Sequence, residues 1–150
     1  MKVYHKGYSK SETLENNTRN STHGVGFYVF KNLQACKEHK STNNKIYSYD
    51  LLDGNYIKEN DSSFLNNLKN IDFDLEKFKK TSSSLVDRII FSSKFINLTP
   101  AKKARLECSK YLKSIGVDGI IFEQSGSIAY CIFNKEKLAN EKIINDYFNY

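Results

Sequence analysis

The chain has 150 residues, a length typical of one domain with a sizeable core. Hydrophobic residues make up 39% of it and charged residues 27%, and no apolar run approaches the roughly 20 residues that a membrane-spanning helix needs. The formal net charge of +6 permits an acidic partner such as nucleic acid or a phosphorylated ligand without establishing one. We therefore expect a single domain over residues 1–150.

The N-terminus and the cysteines favour a cytoplasmic protein. The first residues carry no apolar stretch after their positive charge, so no secretory signal is predicted, although delivery into another cell by a different route stays open. Three widely spaced cysteines favour reduced thiols over a disulfide framework. Cys36 and His39 form a C-x-x-H pair, but no second pair of ligands accompanies it, so no metal site is expected.

Four short runs of apolar or alternating residues predict strands in the first part of the chain, and the second run opens on a pair of glycines. The runs cover residues 2–5, 24–30, 45–52 and 56–57. The polar segment 9–23 predicts a loop, and residues 32–40 predict a short helix. The dipeptide Asp53-Gly54 is typical of the turn that ends the third run.

Helices dominate the predicted middle of the chain. Residues 60–80 predict two short helices and residues 82–93 a third, because their apolar residues recur at helical spacing. The clearest helix covers residues 100–115, with Thr99 as its N-cap and Gly116 just past its end. Its many basic residues are expected to form a solvated outer face.

The last part of the chain predicts a β-hairpin and a docked tail. Two alternating apolar runs, 119–123 and 127–133, flank residues 124–126 (Gln-Ser-Gly), which is typical of a tight hairpin turn. The tail 135–150 begins as a short turn or helix and ends in apolar residues that would dock on the domain. Together these elements predict a mixed α+β fold.

Two features of the N-terminal part could contribute to a ligand site. His5 is followed by Gly7, where the backbone can approach a ligand, and its imidazole could bond a ribose hydroxyl or a phosphate-linked group; a structural histidine is the simpler interpretation. Gly24 and Gly26 form either a plain turn or a pocket in which a planar ring stacks on Tyr28. Their spacing fits neither a Rossmann fingerprint nor a phosphate loop.

The hairpin adds a third motif, and the three motifs together resemble the ADP-ribosyltransferase superfamily. Residues 115–122 read Ile-Gly-Val-Asp-Gly-Ile-Ile-Phe, and residues 128–138 read Ile-Ala-Tyr-Cys-Ile-Phe-Asn-Lys-Glu-Lys-Leu. These runs are similar to a motif of the poly-ADP-ribose-polymerase and diphtheria-toxin type, in particular of its small bacterial and phage members. The segment 24–30 is similar to a second motif of that type. The Tyr-His pair at His5 is similar to a third, although Lys6 is inserted here before the glycine. The likeness covers both ends of the chain and leaves its middle unassigned.

The resemblance implies a split pair of small antiparallel β-sheets with flanking helices, and NAD bound as a substrate in the cleft between them. It implies that His5 holds the adenosine ribose, that Tyr28 stacks on nicotinamide, and that Gly7 or a neighbouring backbone group bonds the carboxamide. The implied NAD-binding residues are His5, Lys6, Gly7, Gly26, Phe27, Tyr28 and Tyr130. ADP-ribose would then pass to a protein or nucleic-acid acceptor, without a metal or a membrane.

In this family a glutamate of the second hairpin strand grips the nicotinamide ribose and stabilises the oxocarbenium-like state, and the matching residue here is Ala129. Gln124 and Ser127 could substitute, since a two-residue turn pairs them with each other and puts both on the face of Ala129, with Glu123 on the other. Three explanations stay open: binding without catalysis, substitution by another side chain, or an introduced alanine that silences a toxic enzyme.

Two other functions compete with ADP-ribosyl transfer. The first is a non-catalytic module on the same scaffold that binds NAD, another nucleotide or a partner protein. The second is a basic nucleic-acid-binding domain without an NAD pocket, for which ten tyrosines and ten phenylalanines would supply stacking platforms. Most of these aromatic residues occupy apolar-face positions, so core packing explains them better.

Overall fold

The computed structural model describes residues 1–13, 22–41, 43–61, 63–64, 68, 71–81 and 84–144. Within these residues the strands are β1 (Lys2–Lys6), β2 (Phe27–Phe30), β3 (Ile46–Leu51), β4 (Tyr56–Lys58), β5 (Gly119–Gln124), β6 (Ser127–Ile132) and β7 (Leu138–Ile143). They form one seven-stranded sheet in the order β4-β5-β6-β2-β1-β3-β7. All neighbours are antiparallel except β4 and β5, which run parallel.

The described helices are α1 (Leu33–Glu38), α2 (Leu75–Lys80), α3 (Leu85–Phe91) and α4 (Ala101–Ser114), with 3-10 turns at Lys94–Asn97 and Lys135–Lys137. Asn32, Asp74 and Ser84 precede the first three helices, and each side chain accepts a hydrogen bond from a backbone N–H of the first turn. These caps explain why such short helices begin where they do.

The N-cap predicted for the long helix is wrong by one residue. Pro100 precedes α4 with an extended ψ of 173°, so it occupies the N-cap itself, without a side-chain bond, and Thr99 lies outside the helix. Of the two helices predicted over 60–80, the second is α2. The first falls where residues 62, 65–67 and 69–70 lie outside the described part of the chain, as does part of the predicted loop, residues 14–21.

The α+β class is confirmed, but the expected division into two small sheets is wrong, because the strands are hydrogen-bonded into one sheet. The junction between β1 and β2 is its narrowest point, with one residue pair, Tyr4 and Phe30. By contrast, β1 pairs with β3 along its whole length. That single pair keeps the sheet continuous.

Two apolar clusters lie on opposite faces of the sheet, because side chains alternate along each strand. The helices cover the larger cluster, in which Leu85 and Ile89 of α3 and Cys108 and Leu112 of α4 pack on the alternate residues of β2, β5 and β6. The smaller cluster, on the other face, comprises Val3, Phe27, Val29, Tyr47, Tyr49, Leu51, Tyr130, Ile132 and Leu138. The lysines of α4 at positions 102, 103, 110 and 113 are exposed, as the sequence predicts, whereas Arg105 of the same helix is half-buried and forms an ion pair with Asp87 of α3.

The strand β7 is the element that the sequence pattern misses. The tail is predicted as a turn or helix, and its 3-10 turn is present, but residues Leu138–Ile143 then pair with β3 at the sheet edge. Most of β7 is polar and exposed, and Asn140 has a positive φ of 54°, so little apolar alternation marks it as a strand. Its pairing depends on backbone bonds, which side-chain patterns do not reveal. Of the apolar residues predicted to dock at the end of the tail, Ile144 packs against the larger cluster and Ile143 is exposed, whereas residues 145–150 lie outside the described residues.

Candidate functional site

The side chain of His5 bridges β1 and β2 next to their single backbone pair. Its Nδ1 lies 2.6 Å from the carbonyl oxygen of Tyr28, and since a carbonyl can only accept, Nδ1 carries the proton. The ring stacks on Phe27 with a centroid separation of 3.8 Å. Burial lowers the pKa of His5 to about 4, although the hydrogen bond to the Tyr28 carbonyl acts in the opposite direction. The neutral imidazole therefore holds the two strands together.

The residues after His5 also make contacts within the protein. The Lys6 ammonium donates to the carbonyl of Lys37 in α1 at 2.8 Å, and the Gly7 N–H donates to the carbonyl of Lys45 at 2.9 Å. Gly7 has a φ of +139°, and a Cβ there would lie 3.1 Å from His5 Nε2. The glycine is needed because the chain turns closely over the histidine ring.

Tyr28 lies on β2 with its side chain on the helix-covered face. Its hydroxyl donates to the carbonyl of Gly24 at 2.7 Å and accepts from the N–H of His23 at 3.1 Å. Its ring meets Phe122 edge-on at 5.6 Å, and burial raises the pKa of the phenol. The hydroxyl thus secures the glycine turn, while the ring remains part of the sheet face.

The glycine turn before β2 permits close packing. A Cβ on Gly26 would lie only 2.6 Å from the carbonyl oxygen of Ile132 on β6, so no larger residue fits without a shift of backbone. Gly26 and Phe27 border a separate cavity of about 270 Å³, at the end of β6 remote from the hairpin turn. Tyr130 lies on the opposite face from Tyr28, with its ring edge-on to Tyr56 at 5.8 Å.

The hairpin has the predicted register. Ser125 and Gly126 form a two-residue turn with φ values of 53° and 79°, Gln124 pairs with Ser127, and Phe122 pairs with Ala129. Ala129 is completely buried within the larger cluster, and its cross-strand neighbour on β2 is Phe30. The position predicted for the catalytic carboxylate is therefore an apolar one.

A cavity of about 500 Å³ lies between β2, the end of α1 and the hairpin turn. It is lined by Thr22, His23, Tyr28, Phe30, Ala35, Glu38, His39, Lys40, Gln124 and Ser125. Of the predicted site residues, Tyr28 and Gln124 line this cavity. Ser127 and Ala129 follow on the same strand face, whereas the ring of His5 and that of Tyr130 belong to the other face. The predicted residues therefore divide between two faces and two cavities.

Sequence reasoning misses a histidine–carboxylate pair of which the histidine, His23, lines this cavity. Nδ1 of His23 lies 2.7 Å from Glu59 Oε1, and the His23 ring stacks on Phe122 with centroids 3.8 Å apart and planes 8° from parallel. The paired residues are 36 positions apart, in a polar segment and just after a short strand, so no spacing rule connects them. His39, the other cavity histidine, belongs to the C-x-x-H pair, whose Cys36 thiol is buried with its pKa raised to about 12.

Three comparisons with known proteins find no match to this chain. No model of a protein family, no curated protein and no solved structure matches it. Among the described residues, no helix has the length and apolar character needed to cross a membrane. Within the same residues, histidine, cysteine and carboxylate side chains form no group of three that could hold a metal ion.

The buried His5 predicts a loss of stability in acid. Its pKa is about 4 in the folded chain against 6.5 when exposed, so between these values the unfolded chain binds the extra proton. The free energy of unfolding should therefore fall by roughly 3 kcal/mol as pH drops through this window. Denaturant titrations at a series of pH values would measure the loss.

The variant His5→Gln keeps a donor for the Tyr28 carbonyl and removes the titration. We expect the free energy of unfolding of this variant to fall much less as the pH is lowered. In the control His39→Gln most of the fall should remain, because His5 still titrates. Equal slopes in the wild type and His5→Gln would show that other groups govern acid unfolding.

Proposed function

We propose that this chain is an ADP-ribosyltransferase-like protein that binds NAD as a substrate in the 500 Å³ cavity beside the hairpin turn. In this proposal it transfers ADP-ribose slowly to a protein or nucleic-acid acceptor. The observation that carries the proposal is that Tyr28, from the family-like segment 24–30, and Gln124, beside the turn of the family-like hairpin, line one cavity. Because the sheet is continuous, the proposed site lies on its helix-covered face rather than in a cleft between two sheets.

The lining of the cavity suits a dinucleotide. Its volume lies within the range of ligand pockets, and the partly buried ring of Tyr28 offers aromatic surface for a nicotinamide or adenine ring. Lys40 brings a positive charge for the pyrophosphate, and Gln124 brings an amide that can both donate and accept. His5 acts in this proposal through Tyr28, whose backbone it holds, rather than by contact with the adenosine ribose.

The alanine at position 129 sets the expected rate. Loss of a charge-stabilising group in comparable sites costs about 3–4 kcal/mol of barrier, or two to three decades of rate. The burial of Ala129 between Phe30 and Phe122 favours a second candidate, a module on the same scaffold that binds NAD without transferring ADP-ribose. We propose action in the cytoplasm, either of the producing cell or of a cell into which the protein is delivered.

Binding of NAD should depend more on the ring of Tyr28 than on its hydroxyl, which holds the segment before β2. Calorimetric titration is expected to give saturable binding to the wild type, similar binding to Tyr28→Phe, and roughly tenfold weaker binding to Tyr28→Ala, because only the last variant loses the stacking surface. Circular dichroism of all three proteins controls for folding.

Two results would count against the proposal. If the wild-type protein binds no NAD, the proposed function is contradicted. If Tyr28→Ala binds as tightly as Tyr28→Phe, NAD binds elsewhere on the molecule. Retention of single-stranded nucleic acid in a salt-dependent manner, unaffected by Tyr28→Ala, would instead favour the basic nucleic-acid-binding domain.

A carboxylate at position 129 should separate slow transfer from binding alone. We expect Ala129→Glu to release nicotinamide from NAD roughly 10²–10³ times faster than the wild type. The variant should also melt at a lower temperature, because the position is buried and a charge there is costly. Ala129→Gln, which has the same size without the charge, is the matched control. A folded Ala129→Glu protein with unchanged nicotinamide release would favour the binding module.

A further inference from the structure

His23, which is hydrogen-bonded to Glu59, lines the proposed NAD cavity. We propose that His23 accepts the proton of the group that attacks NAD, with Glu59 as its positioning residue. This inference rests on the proposed function and adds the acid–base group that the three family-like motifs do not contain. It assigns a role to two residues that neither composition nor spacing singles out.

The hydrogen bond within the pair defines the tautomer of His23. A carboxylate oxygen of an ionised Glu59 can only accept, so Nδ1 of His23 donates across the 2.7 Å contact. In the neutral imidazole the other nitrogen, Nε2, then carries the lone pair. Among the described residues no hydrogen bond to Nε2 is present, and His23 lines the cavity. The basic nitrogen is thus available to a ligand there.

The ring of His23 is held from several directions. It stacks on Phe122, and its backbone N–H donates to the Tyr28 hydroxyl at 3.1 Å. Glu59 is held in turn, since its carboxylate accepts from the Leu85 N–H at 3.4 Å and its backbone carbonyl accepts from the Arg88 guanidinium. A base oriented by a third group, itself fixed by packing, is the arrangement used in nucleophile activation.

The charged groups around the pair come from three elements. Glu59 follows β4, and Arg88 of α3 lies against the backbone of Glu59. At the end of α1, Glu38, His39 and Lys40 line the same cavity as His23. Glu59 is the group in direct contact with His23, with its Oε1 2.7 Å from Nδ1.

The proposed step balances without a further reactant. An oxygen of water or of an acceptor hydroxyl forms a bond to the ribose carbon as the bond from that carbon to the nicotinamide nitrogen breaks. The electron pair of the broken bond leaves with nicotinamide and neutralises its ring charge. The proton of the attacking oxygen passes to Nε2 of His23 and later to solvent.

A purely structural role is the alternative, because the pair also ties the segment before β2 to the end of β4 and the start of α3. Three variants separate the two roles. His23→Gln removes the base, Glu59→Gln keeps an acceptor for Nδ1 but removes the charge, and Glu107→Gln removes an exposed carboxylate of α4 as the matched control. Thermal unfolding monitors folding, and if His23→Gln does not fold, Glu59→Gln carries the test.

The kinetic arm uses NAD labelled in its nicotinamide, with water as the acceptor, from about pH 5.5 to about pH 8. The wild-type rate is expected to fall in acid, as the rate of a reaction that needs a general base does. His23→Gln should release nicotinamide more slowly than the wild type, by a factor of up to about 10², and its rate should depend little on pH. The rate of Glu59→Gln should lie between those of the wild type and His23→Gln, and the rate of Glu107→Gln should match that of the wild type. Calorimetric binding of NAD should change less than threefold in every folded variant.

A second arm does not depend on turnover. Acylation of histidines by diethyl pyrocarbonate, located by mass spectrometry, should modify His23 in the free protein and be suppressed by NAD. Long-range nitrogen NMR spectra should show the Nδ1-protonated tautomer of His23, with a weaker preference in Glu59→Gln.

The outcomes distinguish this inference from the proposed function. Failure of the wild type to bind NAD overturns both. Binding of NAD with no nicotinamide release, or with equal release and equal pH profiles in the wild type and His23→Gln, overturns the role of His23 and leaves NAD binding intact. A slow, pH-independent His23→Gln protein that still binds NAD supports it.

Discussion

The narrow junction between β1 and β2 is the constraint on which the site depends. β2 pairs with β6 along all four of its residues but with β1 at a single pair, and the His5 imidazole supplies the missing link by donating to the Tyr28 carbonyl. The backbone of Tyr28 is thereby held from the β1 side. The side chain of the same residue then points to the opposite face, where its hydroxyl secures the segment that carries His23.

This arrangement joins the two faces of the sheet through one strand. On one face, His5 stacks on Phe27 inside the smaller apolar cluster. On the other face, the Tyr28 ring packs edge-on against Phe122, and the His23 ring stacks on Phe122. A neutral, buried His5 is compatible with both roles, because its hydrogen bond requires one ring proton and its surroundings disfavour a second. The cavity is consequently built on residues whose positions depend on a histidine at the other face.

Local patterns predict the elements of this fold better than their arrangement. The register of the β5–β6 hairpin is predictable because a two-residue turn determines every cross-strand pair that follows. The helix α4 is predictable from its apolar stripe. The continuous sheet is not, since the pairing of β3 with the polar strand β7 depends on backbone bonds, and the join of β1 to β2 is a single pair.

The site divides in the same way. Tyr28 and Gln124 are found from sequence because their motifs are local, whereas His23 and Glu59 meet only through the tertiary structure. Strand alternation already places Tyr130 on the face opposite Ala129, whereas the face of His5 depends on how β1 joins the sheet.

Both proposed roles require NAD to bind in the cavity beside the hairpin turn. Backbone amide chemical shifts of isotope-labelled protein, followed during titration with NAD, test this most directly. We expect saturable shifts concentrated at His23, Tyr28, His39 and Gln124, in the cavity lining. An absence of shifts, or shifts confined to the exposed lysine face of α4, would contradict it.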